Sequence, residues 1–404
     1  MKIAIFSDNF YPELSGITDT ILTTAKELAK MGHFINFFVP HYSSKDYKQV
    51  NLSNEKEVFL HERIEISRMF SFSYPTGTRQ GRLVVPTGLR FLKVKKFNPD
   101  VIHTNHIAGA GVEGLISAKL LKKPLIGTNH TPIIEFIKYS PIKSNWFKNS
   151  MSKYDAWYFN KCDFVSSPSW AVLHEMQKYG FNRQCKPVSN PVDIEAFKPL
   201  AIKEREELKK KYGFSDFTLY YCGRLAVEKH IDLMIKAVVN LKEKIPNINL
   251  VIAGKGSEEE NLKAMVKKLG VGDRVKFYGF LKELKNFVKL YNATDLFLML
   301  GTAETQSIVM MQAMACGNPV IGVNSWGLVD YINEKNGFLI KPNDQEALEE
   351  KILYLYKNKD KKEALGEGGR KFTEQFSKRN VAKTWEKIYE ETIRKHANKK
   401  KNAL

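Results

Sequence analysis

Short apolar runs alternate with helix-patterned segments along almost the whole chain, and that alternation restricts the fold more than any other feature. A first series of strand-like runs comprises Lys2–Phe6, Phe34–Pro40, Asp100–Asn105, Pro124–His130 and Asp163–Ser169. A second comprises Phe217–Gly223, Ile248–Gly254, Arg274–Phe280, Asp295–Gly301, Asn318–Asn324 and Gly337–Pro342, with helical patterns such as Ile231–Lys244 and Glu258–Leu269 between them. Strands separated by helices must be joined by crossovers, so their sheets are parallel. Two series predict two doubly wound α/β domains, for which 404 residues suffice.

The break between the series falls at Pro187-Val188-Ser189-Asn190-Pro191-Val192-Asp193, where Pro191 disfavours helix at Asn190. The expected domains are therefore 1–186 and 187–375. Val381, Trp385, Ile388, Tyr389 and Ile393 have near-helical spacing and predict a long helix from about Phe376, with 376–404 packing back on the first domain. Open parallel sheets bind ligands at the carboxyl ends of their strands, so the expected site is a central cleft that the two domains face.

A net charge of +19 and a pI near 9.5 call for anionic partners: nucleic acid, an acidic membrane surface or phosphorylated substrates. Met1–Phe6 is too short for the apolar core of a signal peptide, and no run reaches the ~18 apolar residues of a membrane span. The expected location is cytoplasmic. Cys162, Cys185, Cys222 and Cys316 are widely spaced, which favours reduced thiols over a disulfide framework or a zinc site.

Candidate site residues lie at the carboxyl ends of the strand-like runs. Gly16, in Ser15-Gly16-Ile17, opens a helix whose free amides could face an anion; a turn glycine beside a capped helix is the structural alternative. Arg224 and Lys229 flank the turn after Phe217–Cys222 and could neutralise a departing diphosphate, although solvated loop charges read the same way. Glu304 stands where the run Asp295–Gly301 gives way to a helix, and the amides near Ser307, Ile308 and Val309 would follow it. A helix throughout 304–312 would rise ~12 Å, which suits a hexose at one end and a ribose at Gln312. The alternative is a capping acid followed by a polar face. His130 ends Pro124–His130, in a position that also suits a structural histidine. His103 and His106 lack a third ligand nearby in sequence, so a metal pair is disfavoured. No two aspartates stand two apart, so there is no D-x-D element to hold a divalent ion on a diphosphate. The expectation is metal-independent chemistry with no cofactor.

Assembled, these residues resemble the retaining glycosyltransferases of glycosyltransferase family 4. The resemblance is carried by Ser7-Asp8 through Gly16, Ser189 through Asp193, Tyr221 through Lys229, Leu250 through Gly256, Val275 through Phe280 and Glu304 through Ile321, in family order over nearly the whole length. It implies the GT-B fold of two Rossmann-like domains and a nucleotide-sugar donor. Gly16 would approach the donor phosphates, Arg224 and Lys229 would hold the diphosphate, and His130 and Glu304 would contact the hexose. Amides near Ser307, Ile308 and Val309 would complete the anion site. The chain departs from the family pattern at Gln312, where the pattern has a second glutamate, and at Ser307, where it has a glycine. Transfer would retain the anomeric configuration, without a clear protein nucleophile.

The Glu304-Thr305-Gln306 wording also looks like that of the diacylglycerol-type lipid glycosyltransferases. Trp146, Phe147, Trp157 and Tyr158 interleave with Lys143, Lys148 and Lys153, and Arg79, Arg82, Arg90, Lys93, Lys95 and Lys96 add a second basic stretch. Both suit an interfacial surface on anionic lipid, or an ordinary amphipathic helix with snorkelling lysines. The expected enzyme moves a hexose from a UDP-sugar to a membrane lipid, at the inner face of the cell membrane. A polysaccharide, lipopolysaccharide or soluble acceptor is the nearest alternative. Nucleic-acid binding lacks a recognition motif, and a GT-B isomerase or phosphorylase is disfavoured by the family wording.

Overall fold

Strand β1 (Lys2–Phe6) lies inside a parallel sheet with residues 3–6 fully enclosed, which explains why it reads as a continuous apolar run rather than an alternating one. The computed structural model describes residues 1–13, 15–49, 57–73, 81–137, 144–281 and 283–402. They form two compact units: Met1–Pro191 with Lys378–Leu404, and Val192–Ser377.

In the first unit, β1 is joined by β2 (Phe34–Pro40), β3 (Ile64–Met69), β6 (Val101–Thr104), β7 (Leu125–Thr128), β8 (Phe164–Ser167) and β9 (Cys185–Pro187), in the order β3-β2-β1-β6-β7-β8-β9. Neighbouring strands are parallel. β4 (Ser71–Ser73) and β5 (Arg82–Val84) make a separate antiparallel pair. The helices are α1 (Gly16–Lys30), α2 (Ser44–Gln49), α3 (Phe91–Phe97), α4 (Ala110–Leu121), α5 (Ile133–Ile137), α6 (Asn145–Phe159) and α7 (Trp170–Lys178). The edge strands β3 and β9 and the β4–β5 pair escape sequence reading because they are short or only half-buried.

The second unit contains β10 (Phe217–Cys222), β11 (Ile248–Ala253), β12 (Val275–Gly279), β13 (Leu296–Met299), β14 (Val320–Val323) and β15 (Gly337–Ile340), in the order β12-β11-β10-β13-β14-β15, all parallel. Its helices are α8 (Ile202–Tyr212), α9 (Ile231–Leu241), α10 (Glu259–Lys268), α11 (Leu284–Asn292), α12 (Ile308–Ala315), α13 (Gln345–Lys357) and α14 (Lys359–Glu374). Asp295 anchors the lower end of this sheet: its carboxylate receives Lys209 at 2.7 Å, Lys362 at 3.0 Å and the Thr218 amide at 2.9 Å. The first and last segments of this unit lie together, the Val192 amide donating to the Phe376 carbonyl at 2.8 Å.

The terminal helix α15 (Lys378–Lys401) buries Val381, Ala382, Trp385, Ile388, Tyr389 and Thr392 on one face. It belongs to the first unit and packs on α1. There Tyr389 Oη lies 2.8 Å from His103 Nδ1, and Trp385 lies against the same imidazole. The His33 ring, 2.8 Å from Glu386, makes a second tie to the helix. Among the described residues no helix is long and apolar enough to cross a membrane.

Both sheets have a topological switch point. The chain moves outward in one direction from β1 through β2 to β3, and in the other from β6; β10 and β13 are related in the same way. Doubly wound sheets bind ligands at the carboxyl ends of the strands at such a point.

Candidate functional site

In the second unit, Arg224 and Lys229 follow β10, and Glu304 follows the neighbouring strand β13, so the switch point brings together residues 75 positions apart. Lys229 Nζ is 2.5 Å from Glu304 Oε1, with only 13% and 17% of the two side chains exposed. Gly301 lies directly under the pair: a Cβ there would come within 3.1 Å of Glu304 Oε1 and 3.2 Å of Lys229 Cδ. The backbones are stitched together as well. The Thr302 amide donates to the Glu228 carbonyl at 3.2 Å, and the Gly327 amide to the Glu304 carbonyl at 2.8 Å.

Arg224 pairs with Glu228 at 2.8 Å and remains more than half exposed. Its carbonyl accepts the Tyr221 hydroxyl at 2.8 Å. Burial, and then the nearby Glu304 charge, hold that phenol well above its usual pKa, so it stays a donor. The loop also depends on Gly254 (φ 145°), where a Cβ would stand 1.8 Å from the Gly223 carbonyl oxygen. The chain after β11 could not otherwise lie so close to the Arg224 loop.

Glu304 is not part of a helix. Helix α12 begins only at Ile308, with Ser307 as its amino-terminal cap, accepting from the Met310 amide at 3.4 Å. The notion of a continuous helix over 304–312 is therefore corrected: the acid sits on the preceding loop, held there by Lys229 and Gly327. Ser307 has φ 70°, left-handed backbone that suits glycine, at the position where the family pattern has one. Ile308 and Val309 supply first-turn amides, which precede the intrahelical ladder and favour an anion. Gln312 is half-buried one turn on; its Oε1 lies 3.3 Å from Tyr291 Oη, which also donates to the Val309 carbonyl at 2.9 Å.

In the first unit, Gly16 is the exposed first residue of α1, behind the cap Ser15, whose hydroxyl accepts from the Thr18 amide at 3.1 Å. His130 follows β7, and its Nε2 lies 2.9 Å from Asn105 Oδ1. Asn105 donates its amide nitrogen to the Phe6 carbonyl, so its oxygen faces His130, whose Nε2 is therefore the protonated nitrogen. Burial, aided by His106 and His103, lowers the His130 pKa to about 3, and the ring is neutral. Its Nδ1 is left as an acceptor.

Further polar residues crowd the same edge. Asp8 accepts from the Ala110 amide at 2.8 Å, and its own amide donates to His106 Nδ1 at 3.1 Å. His106 Nε2 reaches Asn9 Oδ1 at 2.6 Å, Asn9 donates to Glu13 at 2.7 Å, and Tyr42 donates to the other Glu13 oxygen at 3.1 Å. Burial raises both Asp8 and Glu13 to about 7. In the sequence Asp8 and Glu13 fall inside the family-like stretch from Ser7 to Gly16, after the first strand-like run, but nothing there gave either a role. Which runs are adjacent was not visible. His103 and His106 are engaged in these separate networks, and no metal-ligating cluster occurs among the described residues. Of the residues named above for a basic aromatic surface, Arg79 and Lys143 lie outside the described residues, while Tyr158 and Arg82 are corrected: Tyr158 is fully buried and Arg82 is enclosed between Asp46 and the His41 carbonyl, so neither is available to a membrane surface.

Comparison with known proteins gives two family matches: a model described as Glycosyltransferase Family 4 covers residues 14–196, and one described as Glycosyl transferases group 1 covers 204–372. An alpha-monoglucosyldiacylglycerol synthase of Streptococcus pneumoniae is 27% identical over 83% of this chain and 74% of its own length. A protein of the same description from Acholeplasma laidlawii is 25% identical over 100% of both chains. Among solved structures, Anabaena HepE in complex with UDP aligns with a TM-score of 0.76 at 19% identity, over 97% of this chain and 100% of the other.

Proposed function

Since this chain is a glycosyltransferase of family 4 with the GT-B fold, we propose that it moves a hexose from a UDP-sugar to a membrane lipid with retention at the anomeric carbon. The observation that carries this reading is the Lys229–Glu304 pair at the switch point of the second unit, beside Arg224 and the amino end of α12. A diphosphate arriving there would compete with the Glu304 carboxylate for Lys229. It would also find Arg224 and the Ile308 and Val309 amides, so its charge is met without a metal ion.

With Lys229 drawn toward phosphate, Glu304 is released to accept hydrogen bonds from hexose hydroxyls. By the family resemblance, His130 and Gly16 of the first unit would contact the hexose and the donor phosphates respectively. As the bond from C1 to the UDP oxygen breaks, the acceptor oxygen attacks the same face of the sugar. Its proton passes to the departing diphosphate. Gln312 would meet the ribose.

The lipid acceptor is supported by the two relatives described as diacylglycerol-lipid synthases and by one face of α6. There Trp146 (76% exposed), Lys153 and Trp157 (50% exposed) project together, with Lys161 5.2 Å over the Trp157 ring. Aromatic rings flanked by lysines suit the headgroup region of an anionic bilayer. On α3 the exposed aliphatic Leu92 stands among Lys93, Lys95 and Lys96.

The test is a panel of nucleotide-sugars with membrane lipid extract and, in parallel, soluble glycan acceptors, read by the mass of the products. A hexose-bearing lipid formed from a UDP-sugar is the expected result, whereas product only on soluble glycans sinks the lipid reading. Co-sedimentation with anionic vesicles at low salt gives an independent check, because a chain that stays in the supernatant does not use this surface on lipid.

A further inference from the structure

Helix α6 holds the loops after β6 and β7 through its inner face. Tyr154 donates to the Ile107 carbonyl at 2.8 Å and Tyr158 to the Gly111 carbonyl at 2.7 Å. Between them in sequence, Asp155 is 4% exposed, and its Oδ2 accepts the Asn129 side-chain amide at 3.1 Å. Asn129 is equally enclosed, at 5%. Its backbone amide donates to the Ser166 carbonyl at 2.9 Å, and its side-chain oxygen accepts the Thr131 amide at 3.2 Å.

The Asn129 carboxamide thus spans His130. One end folds back on the backbone two residues ahead, making an Asx turn with His130 in its middle; the other end is fixed by Asp155. The histidine ring is held separately, by Asn105. We propose that Asp155 is a positioning residue that sets the His130 turn through Asn129, so that α6 both carries the exposed Trp146 and Trp157 face and fixes where His130 points.

The physical reason is the cost of an unpaired buried amide. Without the Asp155 acceptor, the Asn129 nitrogen keeps only the sulfur of Met176, 3.2 Å away, which is a weak partner. The carboxamide then turns to satisfy its nitrogen, frees the Thr131 amide and lets the His130 backbone relax. A displacement of about 1 Å at a substrate-orienting group can lower a rate by up to ~10²-fold.

The inference rests on the donor-contacting role proposed for His130, and the experiment separates the two. Asp155→Ala, Asp155→Asn, His130→Ala and the double variant Asp155→Ala/His130→Ala are made in the full chain. Initial rates are measured against UDP-glucose concentration, and the His130 ring nitrogens are followed by NMR. Asp155→Ala should lower kcat about tenfold and shift the His130 resonances. Asp155→Asn, which keeps an oxygen toward Asn129, should recover most of the rate. In the His130→Ala background, Asp155→Ala should cost less than about twofold. Full additivity, or unmoved His130 resonances, overturns the positioning role. If the resonances move but His130→Ala leaves the rate intact, the positioning stands and the donor contact falls. Should Asp155→Ala fail to fold, Asn129→Ala cuts the same link from its other end and is read against the same outcomes.

Discussion

Lys229 and Glu304 form a 2.5 Å ion pair between the loops after β10 and β13, two strands hydrogen-bonded to each other but separated in sequence by α9 through α11. Both side chains are mostly enclosed, so each charge depends on the other, and a ligand that takes one of them must compensate the other.

That dependence makes the two residues a coupled unit. Glu304→Ala should lower kcat/KM by ~10²–10³-fold, as loss of a transition-state contact does. Lys229→Met should raise the donor KM as well as lower kcat. The double variant should cost much less than the product of the singles, because each single leaves an uncompensated enclosed charge. Steady-state kinetics of the three proteins checks this, and strictly multiplicative losses would mean that the two residues act separately.

Ser307 holds a left-handed backbone, φ 70°, at a cost on the order of 1 kcal/mol for a residue with a side chain. Ser307→Gly removes that cost and gives up only the long 3.4 Å cap to the Met310 amide, where glycine is itself a tolerated cap. Its melting temperature should rise by ~2–4 °C in a unit of this size, with turnover retained. Calorimetry of the purified variant decides it; a lower melting temperature would show that the hydroxyl outweighs the backbone strain.

Gln312 engages Tyr291 through its carbonyl oxygen, which leaves an amide nitrogen to face a ligand. In Gln312→Glu, one carboxylate oxygen would stay beside the Tyr291 hydroxyl, whose proton is shared with the Val309 carbonyl, and the other would accept a ribose hydroxyl as a charged partner. A charged acceptor is worth ~1 kcal/mol more than a neutral one, so the donor KM should fall about fivefold with kcat nearly unchanged. A large gain in kcat instead would mean that the natural residue impairs the chemical step.

Glu13 is enclosed, 5% exposed, and burial raises its carboxyl from 4.5 to about 7. Between those values the folded protein holds a proton that the unfolded chain has lost. The unfolding free energy therefore falls as pH rises through this window and levels off above it, by an amount on the order of 3 kcal/mol at most. Glu13→Gln cannot lose the proton, and it should flatten this dependence and be the more stable protein at pH 8. Urea unfolding of both at pH 5 and pH 8 provides the measurement, and parallel shifts in the two proteins would contradict it.

The strand-like runs were legible because parallel strands buried on both faces leave continuous apolar stretches: Phe217–Cys222 and Leu296–Met299 are enclosed throughout. Edge strands such as Ile64–Met69 were not, since half their surface faces water and their composition follows. Arg224, Lys229 and Glu304 stood out as charges at the ends of such runs. Asp8, Glu13 and Asp155 did not, because a lone carboxylate in a sequence carries no mark of the partners that enclose it.

By itself the amino-acid sequence determined the two series of parallel strands, the terminal helix pattern and the family to which the chain belongs, since each depends on the order and periodicity of side chains along a line. Tertiary structure alone decided that β10 lies beside β13, that Lys229 meets Glu304, and that Asn129 bridges His130 to Asp155. Those contacts join residues up to 75 positions apart, and pairing at that range is set by strand order and packing, which no local pattern encodes.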